Sequence, residues 1–278
     1  MKPLVSVVIP TRDRPRMLRD AIKSVRAQTM KDFEIIVVVN DVENEHTAQT
    51  MQEAAGCNVV RIPQHGIAAA LNAGVRAAEG EWVAFLDDDD FWEPNWLQVA
   101  LKKASESGAD VVFSNSVLFD QNGGTPNAPR RLPDHLSAKA AITLKNCVGG
   151  CSTTMAKRAA VTALGGFDPT FVSPDWDLWI RLAWKYRVVW ADTHLVWVRV
   201  HPGNTSKRIS WVQTTLAIQL KALKNLPNDL RYLRFPLLLE MLKVATKGTE
   251  TYVRHKWLGK FKRTKPAPKS VLKIPTRH

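Results

Sequence analysis

The chain has 278 residues, 45% hydrophobic and 23% charged, which excludes a disordered or fibrous polymer and suffices for a sizeable core in one large or two modest domains. The net charge of +13 is unevenly placed: residues 207–278 hold 17 Lys and Arg against three acids (Asp229, Glu240, Glu250), and the first 206 residues are close to neutral. Cys57, Cys147 and Cys151 make neither a disulfide framework nor a zinc pattern, so they read as ordinary thiols in a reducing compartment.

Leu4–Ile9 is a short β-branched run closed by Pro10-Thr11 and reads as a strand. Pro15 suits a helix start, and Met17, Leu18, Ala21, Ile22 and Val25 follow at helical spacing. Phe33–Val39 is a second buried strand, Thr47–Ala55 a helix and Asn58–Ile62 a third strand. From Gly66 a run of small residues through Val75 predicts a helix able to lie close against a sheet or ligand. Trp82–Leu86 follows as an apolar strand, so strand and helix alternate about four times in 90 residues, the pattern of a parallel sheet with crossover helices. Asn95–Ser105 (helix), Asp110–Asn115 (strand), Ser152–Met155 (strand), Lys157–Leu164 (helix), Pro174–Tyr186 (helix) and Val188–Val200 (extended) come next. Asp120–Pro133, rich in Gly, Asn and Pro, reads as a loop. Beyond Asn204 the pattern is helical only, with amphipathic stretches at Trp211–Leu223 and Leu230–Thr246 and a basic, Pro-punctuated tail past Lys260. These shifts predict two regions, 1–206 and 207–278.

The chemistry concentrates at Asp87-Asp88-Asp89-Asp90, directly after the Trp82 strand. Four unpaired carboxylates are too costly inside a packed strand, so they belong at its C-terminal end, where open α/β sheets place ligands. Their mutual repulsion is relieved by a hard divalent cation, Mn²⁺ or Mg²⁺, which in turn favours a phosphorylated ligand. The plainer alternative is a solvated acidic turn with Asp90 helping to cap the next helix.

In order along residues 4–206, the segments Ser6–Thr11, Phe33–Asp41, Gly66–Trp82, Phe85–Pro94, Gly165–Asp168 and Asp175–Leu182 resemble the family 2 glycosyltransferases. The resemblance implies a GT-A fold: a Rossmann-like, mostly parallel central sheet flanked by helices, here with a helical C-terminal appendage. It implies inverting transfer of a sugar from a nucleotide-sugar donor, UDP-sugar favoured, to a glycan, lipid-linked or protein acceptor. It places Pro10, Thr11, Asp41, Asn72, Asp87 and Asp88 at the donor, Asp41 on the nucleotide base and Asp87 near ribose and metal. Asp89 would ligate the metal of the DxD motif, and Asp175 falls where the family carries its general base. His201 lies in a segment resembling one that returns to the metal in some relatives, and is otherwise a surface-turn histidine. Trp176 and Trp179, beside Asp175, suit either sugar stacking or core packing. Departures from the family pattern are Val42-Glu43 after Asp41, Leu71 before Asn72, and Pro174 before Asp175.

Two other functions compete. A nucleotidyltransferase also needs carboxylate-bound metal, but Thr11-Arg12-Asp13-Arg14-Pro15 lacks the glycines of a phosphate loop. A non-catalytic nucleotide- or nucleic-acid-binding protein leaves the carboxylates unexplained, and no recognised nucleic-acid motif accompanies the basic charge. With no secretory signal and no long apolar run, the body is expected in the cytoplasm. Its amphipathic C-terminal region has three candidate partners: the catalytic body, a second copy in a homo-oligomer, or the anionic inner face of a membrane.

Overall fold

The structure is a computed structural model that describes residues 2–40, 46–63, 66–120, 123–126, 137–201 and 211–257. Strands β1 (Val5–Thr11), β2 (Phe33–Asn40), β3 (Asn58–Ile62) and β4 (Trp82–Phe85) lie parallel in the order β3-β2-β1-β4. Every residue of β1 and β4 is buried, as strands covered on both faces require. Successive side chains point to opposite faces and build two cores. Val8 and Phe85 join one; Val7, Ile9, Ala84 and Leu86 join the other.

Helices α1 (Pro15–Arg26), α2 (Thr47–Glu53) and α3 (Ile67–Ala77) make the crossovers. The small-residue helix α3 does lie close to the sheet: a Cβ on Gly74 would collide with the Val8 side chain. Leu71 of the same helix is fully buried, so this departure from the family pattern serves the core.

The second half adds antiparallel pairings, so the expected sheet, parallel in β1 to β4, is mixed as a whole. β5 (Phe91–Trp92), β6 (Val111–Asp120), β7 (Gly123–Pro126), β8 (Thr154–Lys157) and β9 (Val188–Arg199) extend the order as β4-β8-β6-β9-β5, with β7 on β6. Of these pairings only β6 with β9 is parallel. The predicted loop from Asp120 thus contains a hairpin strand within its described part. Its glycine is required there by close approach: a Cβ on Gly124 would stand 2.5 Å from the Trp197 ring. Helices α4 (Trp96–Ser107), α5 (Ala138–Leu144), α6 (Arg158–Ala163) and α7 (Asp175–Lys185) complete the body.

The C-terminal helices α8 (Trp211–Lys224) and α9 (Arg234–Trp257) pack on that body. Ile218, Ala222, Leu226, Leu230, Leu233 and Leu237 are buried in the same core as Phe85 and Trp179. Lys221 fastens α8 with its Nζ 2.6 Å from Asp168 and 2.8 Å from Asp177 of α7. Arg181 holds the other Asp177 oxygen at 2.7 Å and donates to the carbonyls of Leu164 and Gly166. Burial opposes ionisation of Asp168, yet hydrogen bonds from Lys221 and Thr170 bring its carboxyl down to about 2.

Lys221→Met is therefore expected to cost about 1–3 kcal/mol at neutral pH, because Asp168 and the buried Asp177 both lose a charged donor. Calorimetric melting checks it. A depressed carboxyl pKa contributes stability above the unfolded value and loses it as pH falls through the folded one. The gap between variant and wild type should then shrink between about pH 4 and pH 2.

Candidate active site

The chain leaves β4 at Leu86, whose N–H still donates to Val8, and immediately enters the four aspartates. They sit at the carboxyl end of the parallel strands, beside the end of β1. The sheet ladder ends there, so the carboxylates are partnered by side chains and loop backbone.

Asp88 is completely buried. Thr11 Oγ1 donates to its Oδ2 at 2.7 Å, the Arg12 backbone also bonds it, and Arg14 Nη2 stands 2.6 Å from Oδ1. That last contact is an ion pair by distance but is not aligned as a hydrogen bond, so Oδ1 is a buried oxygen with no hydrogen-bond donor. Asp13, between those arginines, takes a left-handed φ of 57°, which Asp tolerates better than most residues. Burial, then repulsion from Asp89, opposed by Arg14 and Thr11, leave the Asp88 carboxyl raised to about 7.

Asp89 Oδ2 accepts from Arg14 Nη1 at 2.7 Å and lies 2.8 Å from His201 Nε2. The histidine predicted to return to the cluster thus reaches it. The short strand β5 explains how, because it pairs Phe91 with Trp197 and holds the end of β9 over the aspartates. Arg199 adds two bonds, from its N–H to Asp90 Oδ1 at 2.9 Å and from Nε to the Asp89 carbonyl at 3.0 Å.

Asp90 does not cap the next helix, whose N-cap is Asn95. Its Oδ2 accepts from Ser152 Oγ at 2.6 Å, and the same hydroxyl receives the Asp87 N–H at 3.0 Å. Ser152 belongs to a short 3₁₀ turn, Cys151–Thr153, and its carbonyl is held by Trp92 Nε1 at 2.8 Å. Asp87 is the most open of the four. Burial raises its carboxyl to about 7, helped by Asp89 and Asp88, opposed by Arg14, and raised further by Asp175. That last influence puts the carboxylate of α7 within electrostatic reach of the cluster.

Asp175 is the first residue of α7 and is 9% exposed. Ser173 Oγ donates to its Oδ1 at 2.9 Å, and burial raises its carboxyl. Packing fixes the helix behind it. Trp176 Nε1 donates to the Ile142 carbonyl of α5 at 2.7 Å, and Trp179 contacts Phe85 and Phe167 edge-on or tilted. Both tryptophans are buried in the core, which favours packing over sugar stacking. The Cys151 thiol lies among the same charges and is held well up by burial, Asp87 and Asp175. Among the described residues no cysteine is in a disulfide.

Other predicted site residues are placed differently. Asn72 spends both polar ends on the Phe167 main chain, donating 2.8 Å to its carbonyl and accepting 2.8 Å from its N–H. These two bonds clamp α3 to the Phe167 main chain. Gly166 must be glycine beside it, with φ 72° and no room for a Cβ against the Asn72 amide. Pro10 and Thr11 are buried at the end of β1, and Thr11 serves Asp88. Asp41 lies outside the described residues. Arg14, Ser152, Ser173 and Arg199 were not among the predicted site residues. Only Arg14 had a sequence signal, in the arginines between β1 and Pro15.

One oxygen each of Asp87, Asp89 and Asp90 lie within 4.8 Å of one another. These carboxylates, with His201 Nε2 2.8 Å from Asp89 Oδ2, offer hard donors that fit Mn²⁺ or Mg²⁺.

The model for glycosyl transferase family 2 matches residues 6–165, more than half of the chain. The chain belongs to glycosyl transferase family 2. The matched segment holds β1 to β4, the four aspartates and Ser152, while Asp175 and His201 lie beyond it. A putative teichuronic acid biosynthesis glycosyltransferase, TuaG of Bacillus subtilis, is 32% identical over 162 residues, 56% of this chain and 63% of TuaG. The chain spans about a third of the length of several curated glycosyltransferases it matches. Among solved structures, Staphylococcus aureus TarS residues 1–349 in complex with UDP-GlcNAc superimposes with a TM-score of 0.72 at 18% identity, covering 93% of this chain and 76% of that one. A mannosyltransferase from Pyrobaculum calidifontis in complex with GDP-Man and Mn²⁺ gives a TM-score of 0.66 at 17% identity, covering 94% and 82%. The α/β fold with its mixed sheet is therefore the GT-A fold.

Proposed function

We propose that this family 2 chain is a metal-dependent, inverting glycosyltransferase that uses a nucleotide sugar. The observation that carries the reading is the pairing of two carboxylate groups. The Asp87–Asp90 cluster ends β4, and the buried, partly shielded Asp175 opens α7 within its electrostatic reach. Asp87, Asp89 and His201 would hold the cation, with Asp90 fixed behind them by Ser152 and Arg199. When bound, a divalent cation there supplies Lewis-acid neutralisation of the departing nucleoside diphosphate.

Asp175 takes the proton of an acceptor hydroxyl as its oxygen forms a bond to the anomeric carbon. The bond to the diphosphate oxygen breaks with its electron pair, on the opposite face, so a single displacement inverts the configuration. Asp41 directly follows β2 and is proposed to accept a hydrogen bond from the base. The UDP-GlcNAc in the TarS structure supports a UDP-sugar donor, and the name of TuaG, which refers to teichuronic acid biosynthesis, supports a glycan acceptor. The Mn²⁺ in the mannosyltransferase supports manganese. Among the described residues no helix is long and apolar enough to cross a membrane. Peripheral attachment to an anionic membrane is part of the same proposal, on the strength of the basic C-terminal region.

Purified protein mixed with UDP-, GDP- and dTDP-sugars tests the reading. Nucleoside diphosphate should appear with one of them, and chelation of Mn²⁺ should suppress the rate at least about a hundredfold. Pyrophosphate release, or the same rate in excess EDTA, would contradict it.

A further inference from the structure

Helix α9 is apolar on two opposite sides. Leu233 just before it and Leu237 within it are 1% and 0% exposed against the body, and Glu240 on that side is tied to Lys145. On the outer side Phe235, Leu238, Leu239 and Leu242 recur at i, i+3, i+4 and i+7, and they are 40–69% exposed. Tyr232, one turn earlier, joins them at 61%. A helix apolar all round is normally covered all round. Nothing in the described chain covers this outer stripe.

Charge decides what could. Arg231, Arg234 and Lys243 are exposed along the stripe. The acids near it are engaged: Asp229 lies 3.5 Å from Lys139, and Glu240 is bonded to both Lys145 and Lys243. Residues 258–278, directly after α9, add seven Lys and Arg and no acid. A second copy docked through a two-fold axis would put the same patch against itself. It would bring Arg231 and Arg234 of both copies together, while the acids near the stripe are already paired within each copy. An anionic lipid surface accepts the apolar stripe and compensates the charge together.

We propose that the Phe235–Leu238–Leu239–Leu242 stripe of α9 is the surface by which this protein lies on an anionic bilayer. The stripe enters the headgroup boundary, Arg234 and Lys243 reach up to lipid phosphates with their apolar stems along it, and the basic tail adds attraction. The placement has a consequence for the acceptor. α9 rests on α5, and α5 holds α7 through the Trp176 to Ile142 bond. The helix that opens with Asp175 is therefore mounted two helices from the membrane face. This inference deepens the peripheral-membrane part of the proposed function, and its readout needs no donor sugar.

The experiment is co-sedimentation of the full chain with vesicles of phosphatidylcholine alone or mixed with phosphatidylglycerol. It is run for wild type and Phe235→Ser/Leu242→Ser, with melting temperature, UDP binding and sedimentation velocity as parallel readouts. Wild type should sediment with the mixed vesicles, in a salt-sensitive way, and not with the neutral ones. The double variant should lose about tenfold or more in affinity at unchanged melting temperature and UDP binding. A second variant, Phe235→Trp, should retain binding. Equal binding by wild type and double variant assigns attachment to charge alone and overturns the stripe's role. Absence of wild-type binding at low salt overturns the membrane attachment itself. A wild-type dimer that the double variant dissolves makes the stripe a protein interface and overturns the proposal. Failure of the glycosyltransferase reading would show in the donor assay and leave these outcomes unchanged.

Discussion

Asp89→Asn is expected to lower metal-dependent turnover by about 10³-fold, since several kcal/mol of leaving-group stabilisation go with the ligand. The fold should survive. Asn keeps the shape and can still accept from Arg14 Nη1, which lies 2.7 Å from Asp89 Oδ2. The buried charge that the loop is built around is Asp88, which this substitution leaves in place with Thr11 and Arg14. Initial rates across a Mn²⁺ series, alongside calorimetric melting, separate the two effects. Full activity at limiting Mn²⁺ would remove Asp89 from the metal site.

Asp175→Asn should remove transfer while sparing nucleotide binding, at a cost of about 10²–10⁴ in rate. Ser173 can still donate to the amide oxygen, and Trp176 and Trp179 hold α7 independently of the carboxylate. The pH profile gives a second readout. Burial raises the Asp175 carboxyl, and a general base works only when deprotonated. Transfer by wild type should then fall as pH drops through a value above the ordinary carboxylate range. Any acid limb left in the variant's residual activity belongs to the aspartate cluster, whose Asp87 carboxyl is also raised. A rate unchanged by the substitution would take Asp175 out of the mechanism.

The sequence made the first four strands and their crossovers legible because each is a short apolar run bounded by turn residues, and periodicity carries that signal. It did not make the direction of later strands legible. β5 is only Phe91–Trp92, and it is a strand because Trp197 and Val196 lie opposite it, not because of its own pattern. β7 carries two glycines and a proline, poor strand formers, and is ordered by pairing with β6. The aspartates themselves were plain, since four adjacent charges after an apolar strand leave few places to go. Their partners were not. Ser152 is 62 residues from Asp90 and Arg14 is 75 from Asp89, and single serines and arginines at such distances carry no local pattern. Asn72 is similar: its motif suggested a donor contact, and no local pattern signalled its two bonds to the Phe167 backbone 95 residues away. The C-terminal charge marked a distinct region and left the catalytic body as one of its three candidate partners. The apolar faces of α8 and early α9, read against the core they complete, tie it to the body.

The most direct test is an anomalous difference map from crystals grown with Mn²⁺ and UDP. One strong peak is expected about 2.2 Å from an Asp89 carboxylate oxygen and from His201 Nε2, with UDP phosphate oxygens completing the shell. Density for UDP with the manganese peak elsewhere, or with none, would contradict the proposed metal site.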